Sequence, residues 1–130
     1  MIVVLFSTAP REDLDAEAYR RTSARMRELV AAVSGFISYN TYTADGGEGI
    51  AVVRFESEEA LEAWRSHPEH QQAQAMGRSA SYQEYWVQVC TTPREYRFRE
   101  GGYVTDLSPM FAAGSMIQRP GAVQGPGTAD

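Results

Sequence analysis

A hairpin set between two helical stretches constrains this chain more than any other feature. Residues 36–43 alternate as Phe-Ile-Ser-Tyr-Asn-Thr-Tyr-Thr, and residues 50–55 return as Ile-Ala-Val-Val-Arg-Phe. Between them lies Asp45-Gly46-Gly47, a tight-turn signal. Side chains alternate across a strand, so Phe36, Ser38, Asn40 and Tyr42 are expected on one side and Ile37, Tyr39, Thr41 and Thr43 on the other. Both sides carry aromatics, so neither is designed for water alone.

The flanks supply the rest of the architecture. Residues 2–6, Ile-Val-Val-Leu-Phe, form a short continuous apolar run, which reads as a strand buried on both faces. Asp13 or Asp15 is placed to cap a helix in which Leu14, Ala18, Thr22, Met26, Leu29, Val30 and Val33 follow three-four spacing. Arg20, Arg21, Arg25, Arg27 and Glu28 fall mostly on the other, solvated side, and Gly35 is expected as the left-handed C-cap. After the hairpin, Ser57 caps a second helix with Glu58 and Glu59 in its first turn, where the helix dipole favours negative charge. Pro68 cannot continue that helix but suits the first position of a new one, so two short helices are expected, joined at Ser66 or His67. Residues 82–90 form the last strand. The order is β-α-β-β-α-β, the ferredoxin-like α+β arrangement with a four-stranded antiparallel sheet. Helices cover one face of such a sheet. The other face would carry aromatics and valines, more apolar surface than a monomer leaves in water, and this predicts a homodimer packed sheet to sheet.

Composition narrows the partners. The chain has 130 residues, enough for one domain, and 43% of them are hydrophobic, enough for one modest core. The net charge of −5 argues against nucleic acid or an anionic membrane surface, both of which select basic proteins. All 12 basic residues are arginine, and the missing lysine excludes a Schiff-base mechanism. A lone Cys90 excludes an intramolecular disulfide and fits a reducing compartment. No apolar run approaches the ~18 residues of a membrane helix, and the N-terminus lacks signal-peptide features, so the cytoplasm is the expected location.

From Arg94 the character changes. Arg94, Arg97 and Arg99 mix with Glu95 and Glu100, Gly101-Gly102 follows, and Met110, Phe111, Met116 and Ile117 form a weak apolar cluster suited to docking on a partner subunit. The stretch 120–130 is rich in Gly and Pro and reads as disordered.

The β-α-β-β-α-β order, together with residues 55–70 (Phe-Glu-Ser-Glu-Glu-Ala-Leu-Glu-Ala-Trp-Arg-Ser-His-Pro-Glu-His), resembles the antibiotic biosynthesis monooxygenase (ABM) family of dimeric α/β barrels. The resemblance covers residues 1–97 and leaves 98–130 as a C-terminal extension. One branch of the family implies a small cofactor-independent monooxygenase. Such an enzyme oxidises a phenolic or hydroquinone, polyketide-like substrate with O2, the substrate anion supplying the electron. Trp64 matches that family's tryptophan, and His70 takes the position of a polar or aromatic residue that approaches the substrate. Ala60 stands where an asparagine often helps. A second branch implies haem binding or haem breakdown. There Gln74 stands at the axial histidine position and Ser7 or Thr8 near an expected asparagine, and both departures count against it. A third reading is a non-catalytic ligand-binding dimer of the same fold.

The candidate residues each have a structural alternative. Trp64 stacks on a flat aromatic ligand or fills the gap between helix and sheet. His70 is a general base, its ordinary pKa of ~6.5 suiting proton abstraction, or a satisfied core histidine. His67 is a further pocket candidate or a cap before Pro68. Asn40, Tyr39, Tyr42, Tyr82, Tyr85 and Trp86 lie on strands that wall the barrel, and those on the helix-facing side are candidates to bind the substrate. Arg54 either holds an anionic substrate oxygen or pairs with Glu84. His67 and His70 lack a third ligand at suitable spacing, so no metal site is expected. The expected ligands are a small aromatic molecule and O2, with no cofactor, or haem in the second reading.

Overall fold

The computed structural model describes residues 1–104. Met110, Phe111, Met116, Ile117 and the Gly/Pro-rich end lie outside the described residues. The elements are β1 (Ile2–Pro10), α1 (Ala16–Ala31), β2 (Phe36–Thr43), β3 (Gly49–Phe55), α2 (Glu58–Arg65), α3 (Pro68–Met76), a single π-helical turn (Gly77–Ser81), β4 (Tyr82–Thr91), β5 (Arg97–Arg99) and β6 (Gly102–Val104). The first four long strands form one antiparallel sheet in the order β2-β3-β1-β4, the expected ferredoxin-like α+β topology. β5 and β6 make a separate two-stranded sheet that the sequence reading did not anticipate.

Local chemistry sets the boundaries. The Asp15 side chain accepts from the Ala18 backbone N–H at 3.1 Å and starts α1. The Ser57 hydroxyl accepts from the Ala60 N–H at 3.2 Å and starts α2. His67 Nδ1 accepts from the Glu69 N–H at 3.2 Å, with Pro68 in the first turn of α3, so the break falls at the expected place. The Asp45-Gly46-Gly47 turn closes through Gly47 N–H to Ala44 O at 2.8 Å.

Three local expectations need correction. α1 ends at Ala31 with Ala32 as its cap, so Gly35 is not the helix cap. Its φ of +88° instead serves the sharp entry into β2, where its carbonyl accepts from the Glu56 N–H at 2.7 Å. A bulge between Phe36 and Ser38 shifts register, so Phe36 sits opposite Phe55 and packs against the core with Tyr39 instead of following Ser38. β1, although central, is mostly half-buried: Val3 and Leu5 lie on the face opposite the described helices, and Val4 and Phe6 border a cavity on the helix side.

The core lies between the helices and that covered face. Ile2, Tyr39, Ala51, Val53 and Phe55 from the sheet meet Met26, Val30, Ala60 and Trp64 from the helices. Phe55 and Val30 are wholly buried, and each apolar side chain of that kind contributes about 1.5–3 kcal/mol by leaving water. The buried stripe of α1 is Tyr19, Ser23, Met26 and Val30, rotated from the expected Ala18-Thr22 line. Arg27, expected in solvent, lies with its guanidinium 5.3 Å from the Tyr39 ring centroid.

Candidate functional site

α3 is the helix that leaves room for a site. It buries no residue fully. Its first turn is set by the Pro68 start, the His67 cap and a bidentate ion pair from Arg25 on α1, whose Nε and Nη2 both lie 3.0 Å from the Glu69 carboxylate, while Ala73 packs against the core. The Arg25 guanidinium holds the Glu69 carboxyl below its ordinary range, mainly through these hydrogen bonds. Between α1, α2, α3 and the sheet lies a cavity of about 200 Å³. His70, Ala73 and Gln74 border it from α3, Tyr19, Ser23 and Met26 from α1, and Val4, Phe6 and Val53 from the sheet. Tyr85, Val87 and Val89 border it too but remain 38%, 46% and 55% exposed, which puts its mouth along β4, an edge strand.

Trp64 and His70 share a wall of this cavity. Their rings are stacked, with centroids 4.1 Å apart and planes 29° apart. The geometry follows from the break at Ser66 and His67, which turns α3 back so that His70 lies over the indole. Trp64 also belongs to the buried core, so its two alternatives hold together: it fills the gap between helix and sheet and faces the cavity. His70 Nδ1 is buried with no hydrogen-bond partner. Burial first, and the neighbouring His67 charge second, push its pKa down to about 4. The imidazole is therefore neutral at pH 7. It accepts a hydrogen bond readily but is a weaker base than the ordinary histidine assumed from sequence.

The remaining candidates separate by strand parity. Tyr82 borders the cavity. Asn40, Tyr42, Arg54 and Trp86 do not. The register aligns Asn40 with Val52, Arg54 with Val3, and Trp86 with Ser7, a set alternating with the cavity-lining Val4, Phe6, Val53, Tyr85 and Val87. These four residues therefore occupy the sheet face turned away from the helices. Arg54 does not meet Glu84, which aligns with Ala9 near the far end of β1. His67 spends its Nδ1 on the α3 cap, with its ring 5.9 Å from Trp64, and does not border the cavity. Among the described residues, no three His, Cys, Asp or Glu side chains gather in a way that could hold a metal ion.

Sequence reasoning missed a second polar feature of the cavity. The hydroxyls of Tyr19 and Tyr82 lie 2.8 Å apart, and both residues are only 8% exposed. Tyr19 stands four residues before Ser23 and seven before Met26, a helical spacing that was available as a signal. The pairing with Tyr82 was not, because it spans 63 residues.

The antibiotic biosynthesis monooxygenase family profile matches residues 1–76. The uncharacterized protein YqjZ of Bacillus subtilis (strain 168) is 36% identical over 97 residues, covering 75% of this chain and 83% of YqjZ. The solved structure of Rv0793 from Mycobacterium tuberculosis superposes with a TM-score of 0.63 at 27% identity, covering 72% of this chain and 96% of that one. SnoaB, a cofactor-independent oxygenase from Streptomyces nogalater solved as a mutant, superposes with a TM-score of 0.61, covering 72% of this chain and 94% of SnoaB. At 11% identity that likeness is one of fold alone.

Proposed function

The chain belongs to the antibiotic biosynthesis monooxygenase family, and from that premise we propose that it is a cofactor-independent monooxygenase acting on a small phenolic or hydroquinone substrate with O2. The observation that carries this reading is the stacked Trp64–His70 pair on the wall of a mostly apolar cavity. A flat aromatic ring fits beside such a wall, and the apolar lining keeps water from an electron-rich anion.

In this reading the substrate gives up its hydroxyl proton to water at the cavity mouth, while neutral His70 accepts the hydrogen bond that orients the hydroxyl. The resulting anion reduces O2 by one electron, and the two radicals combine at a ring carbon that bears hydrogen to give a peroxide anion. That anion takes a proton back from water, and the hydroperoxide so formed loses water to leave a carbonyl. One oxygen atom stays in the product, the other leaves as water, and the substrate supplies all the electrons.

The same reading includes a homodimer in the cytoplasm. The sheet face turned from the helices carries Trp86 at 61% and Tyr42 at 50% exposure beside half-buried Val3, Leu5, Ile50 and Val52. A second copy of that face is the simplest cover for such a surface. Among the described residues no helix is long and apolar enough to cross a membrane.

Haem fits this site poorly. Gln74, a weak iron ligand, borders the cavity where the family resemblance would place an axial histidine. The deciding experiment is O2 uptake with a panel of anthrones and hydroquinones, comparing the wild type with a His70→Ala/Trp64→Phe double variant. Uptake that depends on the pair supports the reading. Uptake that survives the double substitution, or binding of the panel with no uptake, overturns it, the latter in favour of a ligand-binding dimer.

A further inference from the structure

We propose that His67 and Arg25 are positioning residues for the Trp64–His70 wall: they fix Glu69 between them, and Glu69 fixes the imidazole next to it. This rests on the reading above, in which the stacked pair is the reactive wall, and deepens it by naming what holds the pair in register.

The need for such residues follows from where the two rings sit. Trp64 is in the last turn of α2 and belongs to the buried core. His70 is in the first turn of α3, a helix with no fully buried residue. The chain breaks between them at Ser66 and His67, so no continuous helix sets one ring against the other. Aromatic stacking depends on both separation and tilt. A site that relies on this stack needs the start of α3 fixed in position and in rotation.

His67 fixes the backbone. Its φ of −63° and ψ of 124° are the extended values that a following proline favours. Its Nδ1 accepts from the Glu69 N–H at 3.2 Å, and its carbonyl accepts from the Gln71 N–H at 3.0 Å. The two acceptors bracket His70 in the sequence. The same imidazole lies beside the indole of Trp64, with ring centroids 5.9 Å apart and planes at 49°. One side chain thus holds the turn that carries His70 while it packs next to the ring on which His70 stacks.

Arg25 fixes the side chain. Its Nε and Nη2 each lie 3.0 Å from one oxygen of the Glu69 carboxylate, a planar fork that sets direction as well as distance. Glu69 is therefore held by its N–H from the cap and by its carboxylate from α1. A rotation of the first turn of α3 would break one hold or the other. Two fixed points on one residue define an orientation, which a single cap does not, and His70 receives that orientation one residue later.

The test follows the His70 imidazole of the intact protein by proton NMR across the acid range. In the wild type it titrates near pH 4, because burial disfavours the charged ring. Freeing the first turn of α3 exposes the ring to water, and its proton affinity should rise. His67→Ala, which cannot cap, should raise that affinity about fivefold, the weight of an N-cap. His67→Asn restores a capping side chain and should return most of the rise. Both variants remove the His67 charge, so the difference between them reports the cap alone. Glu69→Ala is the second variant, should His67→Ala fail to fold. Loss of a neighbouring carboxylate by itself makes an imidazole harder to protonate, whereas a freed His70 becomes easier to protonate, so the two accounts differ in sign. The Arg25→Ala/Glu69→Ala double variant, which removes both charges, should raise the affinity too. Equal proton affinity in His67→Ala and His67→Asn, or a fall in Glu69→Ala, overturns the inference. O2 uptake with quinols separates it from the reading on which it rests. Uptake lost in His67→Ala and regained in His67→Asn supports both. A titration that follows the cap in a protein that takes up no O2 with any quinol supports the positioning and removes the monooxygenase. Uptake unchanged in His67→Ala, although the titration moves, overturns the positioning role.

Discussion

His70 lies stacked on Trp64 at 4.1 Å, and the burial that this stacking brings is the main reason its pKa falls to about 4. The same burial makes the histidine a sensor of acid. In the unfolded chain it takes up a proton near pH 6.5; in the folded chain it does so only near pH 4. Between those values the unfolded state binds more protons, so stability falls as pH drops through that window and levels off below it. At 1.36 kcal/mol per unit the whole span is roughly 3 kcal/mol. Urea denaturation midpoints measured across the window should show this loss in the wild type, and His70→Gln should remove most of it.

Gly35 and Gly47 share a φ of +88° but not a neighbourhood. A Cβ at Gly35 would lie 2.8 Å from the Ala60 Cβ, whereas at Gly47 nothing lies within 4 Å. Gly47→Ala should cost only the left-handed backbone strain, about 1–2 kcal/mol. Gly35→Ala adds an overpacking term where β2 passes under α2, for a total of roughly 2–4 kcal/mol. Equilibrium unfolding of the two variants side by side separates the terms.

α3 has no fully buried residue; its inward contacts are the stack of His70 on Trp64 and half-buried Ala73 against the core. The two-pronged contact between Arg25 and Glu69 adds a tie from its first turn to α1. Both side chains are near half exposed, so the pair adds little to global stability and weakens in salt. Its effect should be local. Arg25→Ala should speed amide exchange through residues 68–76 while leaving the unfolding midpoint nearly unchanged, and high salt should speed it similarly in the wild type. Hydrogen–deuterium exchange by mass spectrometry reads both.

The outline of this fold was legible because its signals are local. The Asp45-Gly46-Gly47 turn, the Ser57 cap and Pro68 each act within a few residues, and together they set the element order and the break before α3. The Arg97-Phe98-Arg99 and Gly102-Tyr103-Val104 hairpin was equally local, with Gly101 at φ +104° between its strands and Gly102 at φ +136° opening the second. It escaped notice because the arginines read as a change of composition. The site divided differently. Trp64 and His70 were found because one helical stretch carries both. Asn40, Tyr42, Arg54 and Trp86 were grouped with them because alternation says which residues share a face but not which face meets the helices. The Phe36 bulge then shifted the one stretch of parity that composition suggested. The Tyr19–Tyr82 contact joins opposite ends of the domain, and no periodicity within one element encodes it.

That face assignment carries its own prediction. Trp86 aligns with Ser7, alternating with the cavity-lining Tyr85 and Val87, and is 61% exposed on the sheet face opposite the described helices. If a second copy covers that face, the indole is buried between two sheets. A glutamate there would place a charge in the interface, opposite its own symmetry mate or near it, and desolvating a carboxylate without a partner costs several kcal/mol. Trp86→Glu should therefore shift sedimentation from dimer toward folded monomer at micromolar concentration, with far-UV circular dichroism retained. Arg21→Glu, a larger change of charge on the solvated side of α1 where Arg21 is 72% exposed, should leave the dimer intact. A Trp86→Glu protein that still sediments as a dimer would mean that the two copies meet through a different surface, and the apolar face would then need another cover.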